Sequence, residues 1–420
     1  MANSERTNSI RLTSWGWCGL GVVLLLPWGV VAWSLRSAPP TEPVKASQPA
    51  IVRSAVMESG FTRLPDGPWG HLRSSRIEIE PPEDYIPLPE IQPDPLRWTF
   101  PGYSAAAVRE LWRSASLTAA QEQALSAATS PAADGSGCVV MPNRNVVAEL
   151  TPAARSVIYT VLAKFPANAT QFAPFRLRAD VGKDWFRDSG LPPDIITLAT
   201  SMLYPRNGNL LFSDDDVVLP RLKSSADRIR FLKTLSRKST LLVQLVIDPQ
   251  TDVNAIAHYW GQGRRSKDLK PLLQSLVRRP EGAVLDIVHL LPPLPRALLY
   301  SYPQLSQNPQ DEAHDCHWTA LNFFNEQPDE RFTDIEYVKK VLTESYYPVA
   351  SEPTFGDVIV FVQPDGVAVH SCVYLAAGIV FTKNGAAFSV PWLLGNLETV
   401  EGFYSIGPPL EIRCYRAKDR

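Results

Sequence analysis

Three rhythms of hydrophobic and polar positions run along this chain. From Leu111 to Ala127 and from Ala153 to Phe165, apolar residues return every three to four positions, the spacing of a helix with one buried face. Ser225 to Leu235, Val253 to Trp260 and Lys267 to Val277 repeat that spacing, with Asp252 placed as the cap of the second. A shorter, β-branched rhythm marks Leu241 to Ile247 as a strand, and Asn207-Gly208 between apolar flanks as a tight turn. No repeat of fixed period appears. Beyond Pro303 the order changes to one helix followed by short strands. Gly356 to Val362, Val367 to Leu375 and Ile379 to Asn384 are the predicted strands, separated by turns at Gln363-Pro-Asp-Gly366 and Ala376-Ala377-Gly378.

The third rhythm is an unbroken apolar run. Trp15 to Leu35 reads WGWCGLGVVLLLPWGVVAWSL, without a charge and long enough, at about 1.5 Å per residue, to cross a bilayer core. Trp15, Trp17 and Trp33 lie near its ends, where indoles prefer the interface. Residues 1–36 are therefore expected to be a short cytoplasmic tip and a single-pass transmembrane signal anchor, with the bulk of the chain on the export (periplasmic) side of a bacterial inner membrane. A cleaved signal peptide is the rival, although no A-x-A site closes the run. Thirteen of the 38 prolines then fall between Pro39 and Pro101, so residues 37–110 are expected to be a Pro-rich stalk, or a strap lying along a folded domain. Trp69, Trp98 and Phe100 favour partial docking of that segment.

Composition adds limits rather than identity. The 420 residues are 45% hydrophobic and 20% charged with a net charge of −2, which is globular and offers no global field for nucleic acid. Cys18, Cys138, Cys316, Cys372 and Cys414 form no C-x-x-C pair, which argues against a zinc ribbon or a disulfide framework; a Cys372–Cys414 bridge is the one pairing considered. No metal or cofactor is expected. Ser213-Asp214-Asp215-Asp216 lacks the glycine and terminal Glu of a calcium loop and reads as a solvated turn or cap. Arg264, Arg265, Lys267, Arg278 and Arg279 read as a solvated basic face. Residues 111–300 thus form a mostly helical domain of unassigned role.

Chemistry concentrates in residues 301–420. Asp311 to Phe324 reads DEAHDCHWTALNFF, with Trp318, Leu321 and Phe324 at helical offsets from Cys316. A helix beginning at Asp315 or Cys316 would put the thiol at its amino end, where unpaired N–H groups favour a thiolate and can receive an oxyanion. A nucleophile needs a base. His317 is adjacent, but neighbouring side chains on a helix diverge by about 100°, and His314 lies before the helix. His370, mid-strand and on one face with Ala368 and Cys372, is the better base, and Thr382 and Asn384 share a strand face from which either could orient its second ring nitrogen.

Asp315-Cys316 opening a helix, Gly356-Asp357 leading a strand and His370 followed by Val-Tyr-Leu resemble the NlpC type of papain-fold cysteine peptidase. The resemblance covers about a quarter of the chain, from near Tyr300 to Tyr404. It implies an α+β fold: a C-terminal papain-like domain with a small antiparallel sheet packed on helices, preceded by the helical domain and the anchor. It further implies nucleophile Cys316, base His370, a polar third residue at Thr382 or Asn384, and peptidoglycan stem peptides as the amide substrate. His317 stands where that family often has serine, and Ser371-Cys372 replaces a small apolar–glycine pair. A lipid amidase or acyltransferase on the same scaffold, and a catalytically idle domain binding wall material or a partner, are the alternatives.

Overall fold

The computed structural model describes residues 60–177, 182, 184–206, 208–306, 314–404 and 409–419. The apolar run at 15–35 lies outside them, and among the described residues no helix is long and apolar enough to cross a membrane. The chain is mixed α and β with several small antiparallel sheets. It begins with β1 (Thr62–Arg63), β2 (His71–Ile79) and β3 (Trp98–Pro101), then α1 (Ala105–Ser114), α2 (Ala119–Ala127), β4 (Thr129–Pro131), β5 (Gly137–Val140), α3 (Arg144–Ala148) and α4 (Pro152–Leu162). Next come α5 (Ala169–Phe172), β6 (Phe175–Leu177), α6 (Pro193–Ser201), β7 (Tyr204–Arg206), β8 (Asn209–Phe212), α7 (Asp215–Val218) and α8 (Ser225–Ser236). β9 (Lys238–Ile247), α9 (Val253–Trp260), α10 (Ser266–Val277), β10 (Ala283–Asp286) and α11 (Pro293–Leu298) follow. The C-terminal elements are α12 (Cys316–Leu321), α13 (Ile335–Ser345), β11 (Tyr346–Pro348), β12 (Val358–Val362), β13 (Ala368–Ala376), β14 (Ile379–Lys383), β15 (Trp392–Asn396), α14 (Leu397–Tyr404) and β16 (Glu411–Ala417).

Most of the periodic segments fold as their spacing predicts, and α9 starts at the expected cap, Asp252, whose carboxylate accepts from the N–H groups of Asn254 and Ala255. The segment from Leu111 to Ala127 is the exception. It breaks into α1 and α2 because Thr118 and Gln121 form a reciprocal capping box, which restarts the helix after Ser116 turns left-handed at φ 52°.

From residue 60 onward, the proline-rich segment is not a free spacer. Residues 71–79 hold no proline, and their alternation lets β2 pair antiparallel with β9 over nine residues in a sheet ordered β1-β2-β9-β10. Downstream, Tyr85 donates to the Pro303 carbonyl at 2.7 Å, so the proline-rich continuation runs as a docked strap.

Two large cores result. One gathers residues from Ile86 to Leu235, with Trp112, Tyr159, Phe186 and Phe231 at its centre. The other joins β2, β9, α9 and α10 to the six-stranded sheet β11-β16-β12-β13-β14-β15. Thr240 stitches the two sheets of this second core: its hydroxyl donates to the Leu394 carbonyl at 2.9 Å and accepts from the Leu394 N–H at 3.0 Å. Asp357 locks β12 to β16, accepting from Arg416 Nε at 2.9 Å and Nη2 at 2.7 Å while itself 1% exposed.

The acid run at 213–216 also departs from expectation. Asp214 is buried and accepts from Arg155 Nε at 2.6 Å and from the Tyr159 hydroxyl, while the guanidinium also donates to the carbonyls of Leu150 and Val147. It is the structural counter-ion of a fully buried arginine, not a solvated turn. Among the basic residues near α10, Arg265 likewise turns inward, donating to the carbonyls of Trp260 and Leu290 at 2.6 and 2.9 Å. All four described cysteines are free. Cys372 and Cys414 both face Ile359, one from β13 and one from β16, so a whole strand separates them by about 10 Å, beyond disulfide reach.

Candidate active site

Cys316 is the first residue of α12, as the cap signal predicts. The Asp315 carboxylate accepts from the Trp318 N–H at 2.9 Å, and Trp318 and Leu321 point into the second core. His314 lies before the helix, stacked on Trp318 at 3.8 Å with its Nε2 2.7 Å from Glu330, and takes no part in the site.

The helix start meets the sheet where two strands part. β13 pairs with β14 from Val373↔Phe381 to Ala376↔Ile379, while His370, Ser371 and Cys372 have partners only on β12. The Ser371 N–H, free of the β14 ladder, is directed at the Cys316 sulfur together with the N–H groups of Cys316 and His317. Strand alternation turns His370 and Cys372 to one face of the sheet, where they meet Phe361, Val380 and Val400, and Ser371 and Val373 to the face on which α12 packs.

His370 is fully buried and held on three sides. Its ring stacks on Tyr404 at 4.2 Å and lies 5.3 Å from Phe361. Nε2 is 2.9 Å from Thr382 Oγ1, which donates its single proton to Asn384 Oδ1 at 3.0 Å. With that proton committed, Thr382 can only accept from the ring, so Nε2 carries the hydrogen and Nδ1 keeps a lone pair. That Nδ1 is buried and has no hydrogen-bond partner, Cys316 included. Thr382 and Asn384 are therefore successive members of one chain rather than competitors for one role.

His317 is closer than helical divergence suggests. One of its ring nitrogens, the Cys316 sulfur and an Asp315 carboxylate oxygen lie within 4.8 Å of one another, and Nδ1 sits 2.7 Å from Ser371 Oγ. These three donors are the described group nearest to a metal cage, but the Trp318 N–H already occupies one oxygen of Asp315, and Ser371 occupies one nitrogen of His317.

The expected thiolate is not the resting form. Burial, followed by the Asp315 charge, pushes the Cys316 thiol up to about 12, against the pull of the surrounding N–H groups. α12 spans six residues, too short a column of dipoles to offset desolvation. Burial, reinforced by His317, pushes His370 down to about 3. Thiol and imidazole are both neutral at pH 7.

Three contributors carry no sequence signal of their own: Ser371, Tyr404 and Lys383. Lys383 is fully buried, its Nζ donating to the carbonyls of Gly385 and Ala387 at 2.5 and 3.2 Å, and burial lowers it to about 8 against the pull of Asp315 and Cys316. A polar residue alternating with apolar ones in a strand, as Lys383 does after Phe381, is the one pattern that could have flagged it. Tyr302, fourteen residues before Cys316, packs against Tyr85 with a buried hydroxyl that has no partner among the described residues. Asn384 also lines a cleft of about 540 Å³ that runs along Arg176, Lys238, Asn396 and Phe403. No family model, curated protein or solved structure matches the chain.

Proposed function

We propose that this chain is a thiol hydrolase of the papain-like, NlpC-type class that cleaves an amide bond in peptidoglycan stem peptides. One observation carries the reading: His370 is fixed through Nε2 by Thr382 and Asn384, which leaves Nδ1 as a buried, unpartnered base. The stem-peptide substrate rests on the sequence resemblance, and a membrane tether with an export-side location rests on the apolar run at 15–35.

Because both partners rest neutral, the reaction begins with proton transfer rather than from a preformed ion pair. His370 Nδ1 makes no hydrogen bond to Cys316 at rest, so the thiol must first close on it; the S–H then gives its proton to Nδ1 as the sulfur bonds the carbonyl carbon, and the carbonyl electron pair moves to oxygen. The N–H groups directed at the sulfur receive that oxyanion. Collapse breaks the C–N bond, and the amine leaves with the His370 proton. Water then cleaves the thioester, releasing the acid and restoring the thiol. The full chain should release new amino groups from muropeptides, and Cys316→Ala should release none; equal rates for the two would sink the proposal.

A second reading has an observation of its own. Cys316 is 6% exposed and its thiol is hard to ionise, as suits a domain that binds without catalysing. Alkylation of Cys316 by iodoacetamide at pH 7, lost in His370→Ala, favours the hydrolase; an inert thiol favours the idle domain.

A further inference from the structure

Beside the candidate catalytic residues lie two cations that have no counter-ion among the described residues. Arg176 at β6 and Lys238 at the start of β9 line the 540 Å³ cleft, and no Asp or Glu is among its described lining residues. Arg176 donates to the Phe403 carbonyl and lies 4.0 Å over the Phe403 ring. The Lys238 side chain makes no hydrogen bond or ion pair with a described residue. Two further cations line the cleft, Arg76 and Arg237, and Arg237 is by contrast already neutralised, bonded to Glu80 at 2.5 Å and Glu78 at 3.3 Å.

Such a pair is costly to keep. The two charges repel each other in a half-buried site, and Arg206 adds a third like charge for Arg176. Burial and this repulsion lower Arg176 to about 10 and Lys238 to about 8, and no described carboxylate acts on either. An arginine and a lysine facing one space, with amide groups from Asn384 and Asn396 on the same wall, are donors only or donor-rich. The missing partner is an acceptor with negative charge.

We propose that this cleft is a binding site for an oxyanion, a carboxylate or phosphate group, carried by an organic ligand. The volume exceeds what a bare anion fills and falls in the range of small-molecule sites, and Trp185 and Phe403 offer apolar wall for the remainder. Arg176 supplies the planar fork, Lys238 the point charge, and Asn384 joins the anion site to the Thr382–His370 chain. Binding does not depend on Cys316 chemistry. If the hydrolase reading holds, the ligand is a substrate with an acidic group next to the scissile amide.

Titration calorimetry on the full chain at fixed ionic strength, with inorganic phosphate and with succinate as probes against chloride, tests the site. Saturable binding of one or both is expected, weakened at least tenfold in Lys238→Met and in Arg176→Gln and retained in Cys316→Ala. The stronger probe identifies the oxyanion. Removing a repelling charge should not unfold the protein, so thermal melts of both variants at or above the wild-type midpoint are expected, and a folded variant that binds like wild type overturns the assignment. Absence of saturable binding to either probe overturns it as well. Retained binding in a chain inert toward muropeptides leaves the anion site standing while the hydrolase reading falls.

Discussion

The buried Arg155 network, and the candidate site with the cleft beside it, both hold polar groups away from water, and they treat them oppositely. In the first, Arg155 is fully buried, yet it meets the Asp214 carboxylate and the Leu150 and Val147 carbonyls, and Tyr159 completes the carboxylate. In the second, His370 Nδ1 has no partner, the Cys316 thiol is pushed up to about 12, and Arg176 and Lys238 face each other without a carboxylate. Satisfied burial holds a fold together, whereas unsatisfied burial stores a demand for something absent. The contrast separates the scaffold from the working face without any relative for guidance.

The contrast can be broken experimentally, most forcefully in the satisfied core. Arg155→Met leaves Asp214 as an unpaired buried charge and should cost about 3–5 kcal/mol, read by urea unfolding; a cost below about 1 kcal/mol would show that the network is not structural. Acid comes next. The folded value of His370, about 3, lies below its ordinary 6.5, so between those limits the unfolded chain binds the extra proton and folding weakens as pH falls. From pH 7 to pH 4 this contribution amounts to roughly 3 kcal/mol, and it should vanish from the pH dependence of His370→Phe.

Asp357→Asn removes the charge that accepts Arg416 and should lower stability by about 2–3 kcal/mol, measured by thermal and chemical unfolding. Thr382→Val keeps the shape while removing the acceptor that fixes the His370 tautomer. Hydrolysis should drop about tenfold in kcat, roughly 1.4 kcal/mol, with stability changed by less than that. Smallest of all, Lys238→Met should leave stability unchanged or raise it by up to about 1 kcal/mol, the reverse of the Arg155 result.

Local signals were legible and non-local ones were not. Asp252 and Asp315 announced their helices because a cap is a matter of adjacent residues, and β12 to β14 fell between turn residues that sequence shows directly. The proline count over residues 39–101 concealed β2, since a proline-free stretch of nine residues was averaged into its surroundings. Asp214 looked solvated because its partner, Arg155, lies 59 residues earlier. The pairing of Cys316 with neutral surroundings was illegible for the same reason: desolvation is set by the whole second core, whereas the helix position that favours ionisation is written in one tripeptide. Lys238 and Arg176, far apart in sequence, acquire meaning only when β6 and β9 bring them to one cleft.

Thr240 carries a consequence for how this chain can vary in length. It stands two positions after Lys238 on the same side of β9, and its hydroxyl is fixed to the Leu394 backbone. Inserting or deleting one residue beside Lys238 would swing that ammonium to the opposite side of the strand, unless Thr240 moved with it and deserted Leu394. Loops elsewhere can lengthen freely, but the step from Arg237 to Thr240 is a fixed ruler, with the sheet-to-sheet suture at one end and the cleft at the other.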